Sequence, residues 1–210
     1  MVGYSDFVRA VASKPDRYAR RHEDHFVVRR GVSWPEFQRA LEERGERSNR
    51  RMAYLEGILE IMSPGSNHEG LKGVIGRLVE VWCLEHDIDF TTLGSWALQD
   101  ESVARAVEPD ECYVFGPTFG EASRPDLAIE VIWTSGSINK LEIYRKLAVR
   151  EVWIWRRGRL TAHALRGELY EPMSESLVLP GIDLSQLAAL LDQPTTSAAI
   201  RAYRNLLRKP

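Results

Sequence analysis

A chain of 210 residues with 44% apolar and 28% charged residues has the make-up of one globular domain with a small appendage. That composition excludes intrinsic disorder, collagen and a whole-chain coiled coil, and two cysteines, Cys83 and Cys112, are too few for a disulfide scaffold or a zinc cluster. The formal net charge of −2 divides into +4 over residues 1–51, +4 over residues 194–210 and −10 between them. Such a layout suits an anionic partner held around a metal-binding centre, or a solvated surface with a basic tail.

The first 30 residues carry many arginines and no apolar stretch of the signal-peptide kind, and they read as a helical or loose extension. Together with the cysteine usage this leads to the expectation of a cytoplasmic protein, and no run approaches the length of a membrane span. Ser33-Trp34-Pro35-Glu36 is a helix start, with Ser33 as N-cap and Glu36 completing a capping box, and the helix should end before Gly45. Residues 52–55 and 58–62 predict two strands turning at Glu56-Gly57. Ser63-Pro64-Gly65 breaks the pattern, and Ser66 with Glu69 predicts a second capping box. The helix that follows has Leu71, Val74, Ile75, Leu78 and Trp82 as its stripe and ends near His86.

Strands are then predicted over residues 91–99, 105–115 and 127–133, the last apolar on both faces and therefore central. A helix over 139–149, a buried strand over 151–155, and a partner over 160–165 follow. Two helices, one opened by Asp183 and one over 197–208, close the chain. This order predicts an α/β fold: one central mixed sheet with helices packed on it, an N-terminal helical extension and C-terminal helices. The expected division is an extension over 1–30, a main domain over 31–192 and a terminal helix over 193–210.

Three places break the apolar pattern. Glu130 lies inside Leu-Ala-Ile-Glu-Val-Ile, where an unpaired carboxylate would cost several kcal/mol, so it needs a cation, a metal or an outlet to water. Lys140 falls on one helical face with Ile143, Tyr144 and Leu147, the face that should look at the sheet; a snorkelling lysine is the bland alternative. Lys146, four residues after Glu142, has surface-pair spacing. In Glu108-Pro109-Asp110, strand alternation puts Glu108, Asp110 and Cys112 on one side, and Pro109 demands an edge or a bulge. Asp126 reads as a strand-entry residue. Glu69 is explained by capping and is also an additional candidate metal ligand. No HExxH spacing, marked nucleophile arrangement or Gly-rich phosphate loop is present.

Pro-Asp on one strand, Glu on the next and a lysine nearby resemble the PD-(D/E)XK nuclease superfamily. The closer resemblance is to its Uma-two family of endonucleases, carried by Leu59 to Pro64, His68-Glu69, Glu108-Pro109-Asp110, Pro125 to Val131, Ser135, Lys140 to Tyr144 and Glu151 to Ile154. It covers roughly residues 33–190. It implies a restriction-endonuclease-like fold and Mg²⁺-dependent hydrolysis of DNA phosphodiester bonds, with Mn²⁺ as a substitute metal. Asp110 and Glu130 are the implied metal ligands, and Asp110, Glu130 and Lys140 the implied catalytic set. Ile132 stands where the superfamily motif has its lysine, so the resemblance implies that the lysine has migrated to Lys140. A catalytically silent nucleic-acid-binding or regulatory module of the same fold is the alternative. The expected partners are duplex DNA and a second copy of the chain, with no membrane.

Overall fold

The computed structural model describes residues 24–45, 50–94, 96–117, 122–132 and 138–208. Strand β1 (His25–Arg30) leads to helix α1 (Trp34–Arg44) and then to the hairpin of β2 (Arg51–Leu55) and β3 (Ile58–Ser63). Glu36 closes the start of α1 by accepting from the Ser33 backbone N–H at 2.7 Å and from its hydroxyl at 2.6 Å. The hairpin turns tightly because Glu56 and Gly57 both adopt positive φ, at 45° and 86°, which matches the twist of the flanking strands. With β5 (Leu98–Asp100) and β6 (Arg105–Val107) these strands form an antiparallel sheet in the order β1-β3-β2-β6-β5. Alternation sends Met52 and Tyr54 toward α1, where Tyr54 stacks on Phe37 at 5.0 Å between ring centroids. Arg51 and Ala53 face the other way, into the molecule.

The second sheet has the order β11-β10-β9-β8-β7-β4, built from β4 (Phe90–Thr92), β7 (Glu111–Phe115), β8 (Leu127–Ile132), β9 (Glu151–Arg156), β10 (Arg159–Arg166) and β11 (Leu169–Met173). Its β8 and β9 run parallel, joined by the segment holding helix α3 (Lys140–Lys146), while all its other pairs are antiparallel. Leu127, Ile129 and Val131 of β8 pack with helices α2 (Ser66–Glu85), α4 (Leu184–Leu190) and α5 (Thr196–Leu207) in the main core. The opposite face, carrying Ala128 and Val152, packs against α3 and against Ala53, Leu98 and Val107 of the first sheet. Glu130 lies on that inner face, between the two sheets.

The fold is α/β and restriction-endonuclease-like, as expected, but the sheet is not single. The strand expected over 91–99 is two, with β4 in the second sheet and β5 in the first. The strand expected over 105–115 is likewise divided between β6 and β7 at Glu108-Pro109-Asp110. Pro109 has no N–H for a ladder, and the two acids beside it staple the chain to different sheets. Glu108 accepts from the Met52 backbone N–H at 2.8 Å and from Arg44, whereas Asp110 accepts from the Val131 N–H at 2.7 Å. Glu108 and Asp110 therefore do not share a direction, contrary to simple alternation. His25–Arg30 is a strand paired with β3 rather than part of a helical extension, and the rest of that expected extension, 1–23, lies outside the described residues. Helix α2 is capped at Gly65 rather than by a Ser66–Glu69 box.

Candidate metal and phosphodiesterase site

Glu130 is 1% exposed and is neutralised from α3. Lys140 Nζ donates to its Oε2 at 2.6 Å, and the Tyr144 hydroxyl donates to Oε1 at 2.5 Å. Positions i and i+4 of one helix meet both oxygens of one carboxylate, because they stand on the same side of α3. Burial, and after it the charge of Glu130, push the Tyr144 phenol well above its ordinary value, so it stays a donor. Glu142 pairs with Arg145 at 2.8 Å rather than with Lys146, which is exposed.

Asp110 is fully buried where the chain enters β7. The antiparallel register pairs Glu111 with Ile129, and one step further sets Asp110 opposite Glu130. Oδ2 of Asp110 is held by the Val131 N–H, while Oδ1 forms an ion pair with Arg51 Nη1 and lies 2.9 Å from His68 Nε2. The other ring nitrogen of His68 lies 3.1 Å from Asp24 Oδ2, and Asp24 Oδ1 accepts from the Gly65 N–H at 2.9 Å. Burial raises the Asp24 carboxyl, but hydrogen bonds from His68 and Gly65 and nearby positive charge, that of Lys140 included, outweigh it and hold it below its ordinary value. Lys140 thus ion-pairs with Glu130 and lies near enough to Asp24 for its charge to help lower that carboxyl.

Glu69 stands one side chain further out. It meets Arg51 at 2.7 Å and Lys72 at 3.2 Å, and it touches neither Asp110 nor Glu130 among the interactions of the described residues. Lys72 also reaches Glu111 at 3.6 Å. Burial raises the Glu111 carboxyl, with Lys72 and Arg51 opposing. Asp126 has the modest role expected of it, accepting from the Phe115 N–H at 2.9 Å.

Among the described residues, no three His, Cys, Asp or Glu side chains form a ready cation cage. The donor set still fits Mg²⁺, which takes one or two carboxylates and keeps several waters. Oδ1 of Asp110 is buried and has charge contacts but no hydrogen bond aligned on it, and each oxygen of Glu130 has a second lone pair beyond its present donor.

A family model described as "Uma2: Putative restriction endonuclease" matches residues 34–192. The chain belongs to the Uma2 family. The Uma2 match runs from α1 to just past α4 and contains Arg51, His68, Glu69, Asp110, Glu130, Lys140 and Tyr144. Asp24 and β1 lie outside it, so part of the site is built by chain beyond the Uma2 match. A search of the curated proteins finds no match.

Sequence reasoning singled out Asp110, Glu130 and Lys140, and missed Asp24, Arg51 and the link from Tyr144. Arg51 was legible in one respect: it alternates with Met52, so it faces inward where a cation needs a partner. In the sequence Tyr144 reads as part of an apolar face, although a buried phenol also needs a hydrogen-bond partner.

Proposed function

We propose that this protein is a Mg²⁺-dependent endonuclease that hydrolyses phosphodiester bonds of duplex DNA, acting as a homodimer so that two sites address two strands. The observation that carries this reading is the Lys140–Glu130 pair set beside Asp110 between the sheets. Asp110 and Glu130 would hold the metal. When bound, the metal supplies charge stabilisation on the phosphoryl oxygens and a more acidic bound water.

The chain's own residues do the rest. Asp110 is fixed by the Val131 N–H, and Glu130 by Tyr144, so neither carboxylate must reorganise. Lys140 Nζ donates one hydrogen bond to Glu130, and an ammonium has two more N–H donors for the attacking water or a phosphoryl oxygen. DNA would be positioned through its phosphates by exposed arginines such as Arg29, Arg30 and Arg201. Arg204 and Arg208 at the basic C-terminal end are already engaged by Glu85, at 2.8 and 2.7 Å.

The test is cleavage of plasmid and linear duplexes with Mg²⁺, Mn²⁺ or chelator, alongside duplex binding at several salt concentrations. The expected result is metal-dependent cleavage that Glu130→Gln abolishes while binding persists. The affinity should fall with salt at a log–log slope of about −0.9 per phosphate neutralised. Binding without cleavage under every metal condition would identify a silent nucleic-acid-binding module instead.

A further inference from the structure

We propose that His68 is a ligand of the divalent cation, through Nε2, so that the centre is built on an Asp110–His68 edge. This rests on the metal-dependent reading above and adds a nitrogen donor from α2 that neither the family description nor the Asp110–Glu130 pair contains.

His68 is 1% exposed, and both of its ring nitrogens face carboxylate oxygens, Asp24 Oδ2 at 3.1 Å and Asp110 Oδ1 at 2.9 Å. A neutral imidazole has one N–H and one lone pair. Asp24 is anchored by the Gly65 N–H and can take the Nδ1 proton, which leaves the Nε2 lone pair directed at an oxygen that is also an acceptor. Neither His68 Nε2 nor Asp110 Oδ1 has an aligned hydrogen bond, and both are buried. In that tautomer two buried acceptors lie side by side, and Arg51, which ion-pairs with Oδ1, makes no hydrogen bond to Nε2, so a cation that both atoms can bind fits the pair. Their separation of 2.9 Å matches the edge of an octahedron with bonds of about 2.1 Å, the shape and length that Mg²⁺ demands.

The other half of the arrangement agrees. A metal-bound histidine commonly donates its second ring N–H to a carboxylate, which fixes the tautomer and raises the basicity of the ligating nitrogen. Asp24 stands in that place, as a positioning residue. Arg51 ion-pairs with the same Oδ1, so positive charge is already drawn to this corner and a bound cation competes with that pair. An imidazole donor favours Mn²⁺ over Mg²⁺ relative to an all-oxygen set.

The experiment is Mn²⁺ titration of the full chain, with pulsed electron paramagnetic resonance on natural-abundance protein and on protein labelled with ¹⁵N-histidine. The expected result is nitrogen modulation of the bound Mn²⁺ that changes to the ¹⁵N pattern on labelling. It should persist in a variant in which His22, His25, His86 and His163 are glutamine. His68→Asn should lose the modulation, and Asp24→Asn should keep it while weakening Mn²⁺ binding about tenfold or more. Bound Mn²⁺ without histidine modulation in the wild type, or without it in the variant keeping only His68, overturns the inference and leaves the metal-dependent reading standing. Failure of the wild type to bind Mn²⁺ or Mg²⁺ at all overturns both. The labelled wild type and the single-histidine variant decide the matter even if His68→Asn does not fold.

Discussion

Lys140 meets Glu130 at 2.6 Å from the first turn of α3, and it does so from a position 18% exposed toward a carboxylate only 1% exposed. The pair is therefore half in and half out of the protein: the acid is committed to the interior, while the base keeps a face toward the exterior. That asymmetry separates what each residue contributes to folding from what it contributes to chemistry.

Lys140→Ala should abolish cleavage, and it should also destabilise the fold. Glu130 would be left buried with Tyr144 alone among the two donors described above, a loss of about 3 kcal/mol for a broken buried pair. The cost comes from the burial of Glu130, since Lys140 itself keeps partial contact with solvent. Adding Glu130→Gln should recover most of that stability without recovering activity. Lys146→Ala, at an exposed position, should stay within about 0.5 kcal/mol of the parent. Urea midpoints beside plasmid cleavage decide it, and identical behaviour of the two lysine variants would mean the wrong lysine has been named.

Tyr144→Phe removes the hydroxyl that meets Glu130 Oε1 at 2.5 Å. Leaving a charged acceptor short of one donor should cost about 1–3 kcal/mol of stability. Cleavage should fall, because Glu130 is then free to turn about its remaining contact with Lys140. Thermal unfolding and single-turnover cleavage measure the two effects separately; an unchanged rate would deny the hydroxyl its orienting role.

Glu151 predicts a purely structural effect. Its carboxylate is fully buried and accepts from Trp153 Nε1 at 2.5 Å, the Leu177 N–H at 2.6 Å and the Val178 N–H at 3.1 Å, so it ties the segment after β11 to the start of β9. Glu151→Ala strands those donors and should cost roughly 3 kcal/mol. The loss should appear as a lower urea midpoint and faster hydrogen exchange at Leu177 and Val178, with metal affinity unchanged in the folded protein.

The C-terminal helix should loosen in acid. Hydrogen bonds from Arg208 and Arg204 lower the Glu85 carboxyl from 4.5 to about 2. A carboxyl depressed in the folded state contributes stability that is fully present above its unfolded value and lost as pH falls through the folded one. The contact of α2 with α5 should therefore weaken between about pH 4.5 and about pH 2. Amide exchange across α5 should rise over that window, and Glu85→Gln should remove the pH dependence. Because these groups lie at the surface, added salt should blunt the effect.

What the sequence determined by itself is local. Ser33 and Glu36 fix where α1 starts, Glu56-Gly57 fixes the hairpin, and the apolar run around Glu130 marks β8 as central. The spacing of Lys140, Ile143 and Tyr144 was enough to turn that lysine inward. Each of these follows from the period of a helix or a strand, or from turn stereochemistry, within a dozen residues. Tertiary structure alone decided which strands share a sheet. Alternation reports which faces are apolar, not which neighbour a strand will find, so β4 with β5, and β6 with β7, read as continuous strands. The same limit hid Asp24, His68 and Arg51 as partners of Asp110. They arrive from β1's edge, the start of α2 and β2, and only the packing of two sheets against one another brings such charges close enough to neutralise one another away from water.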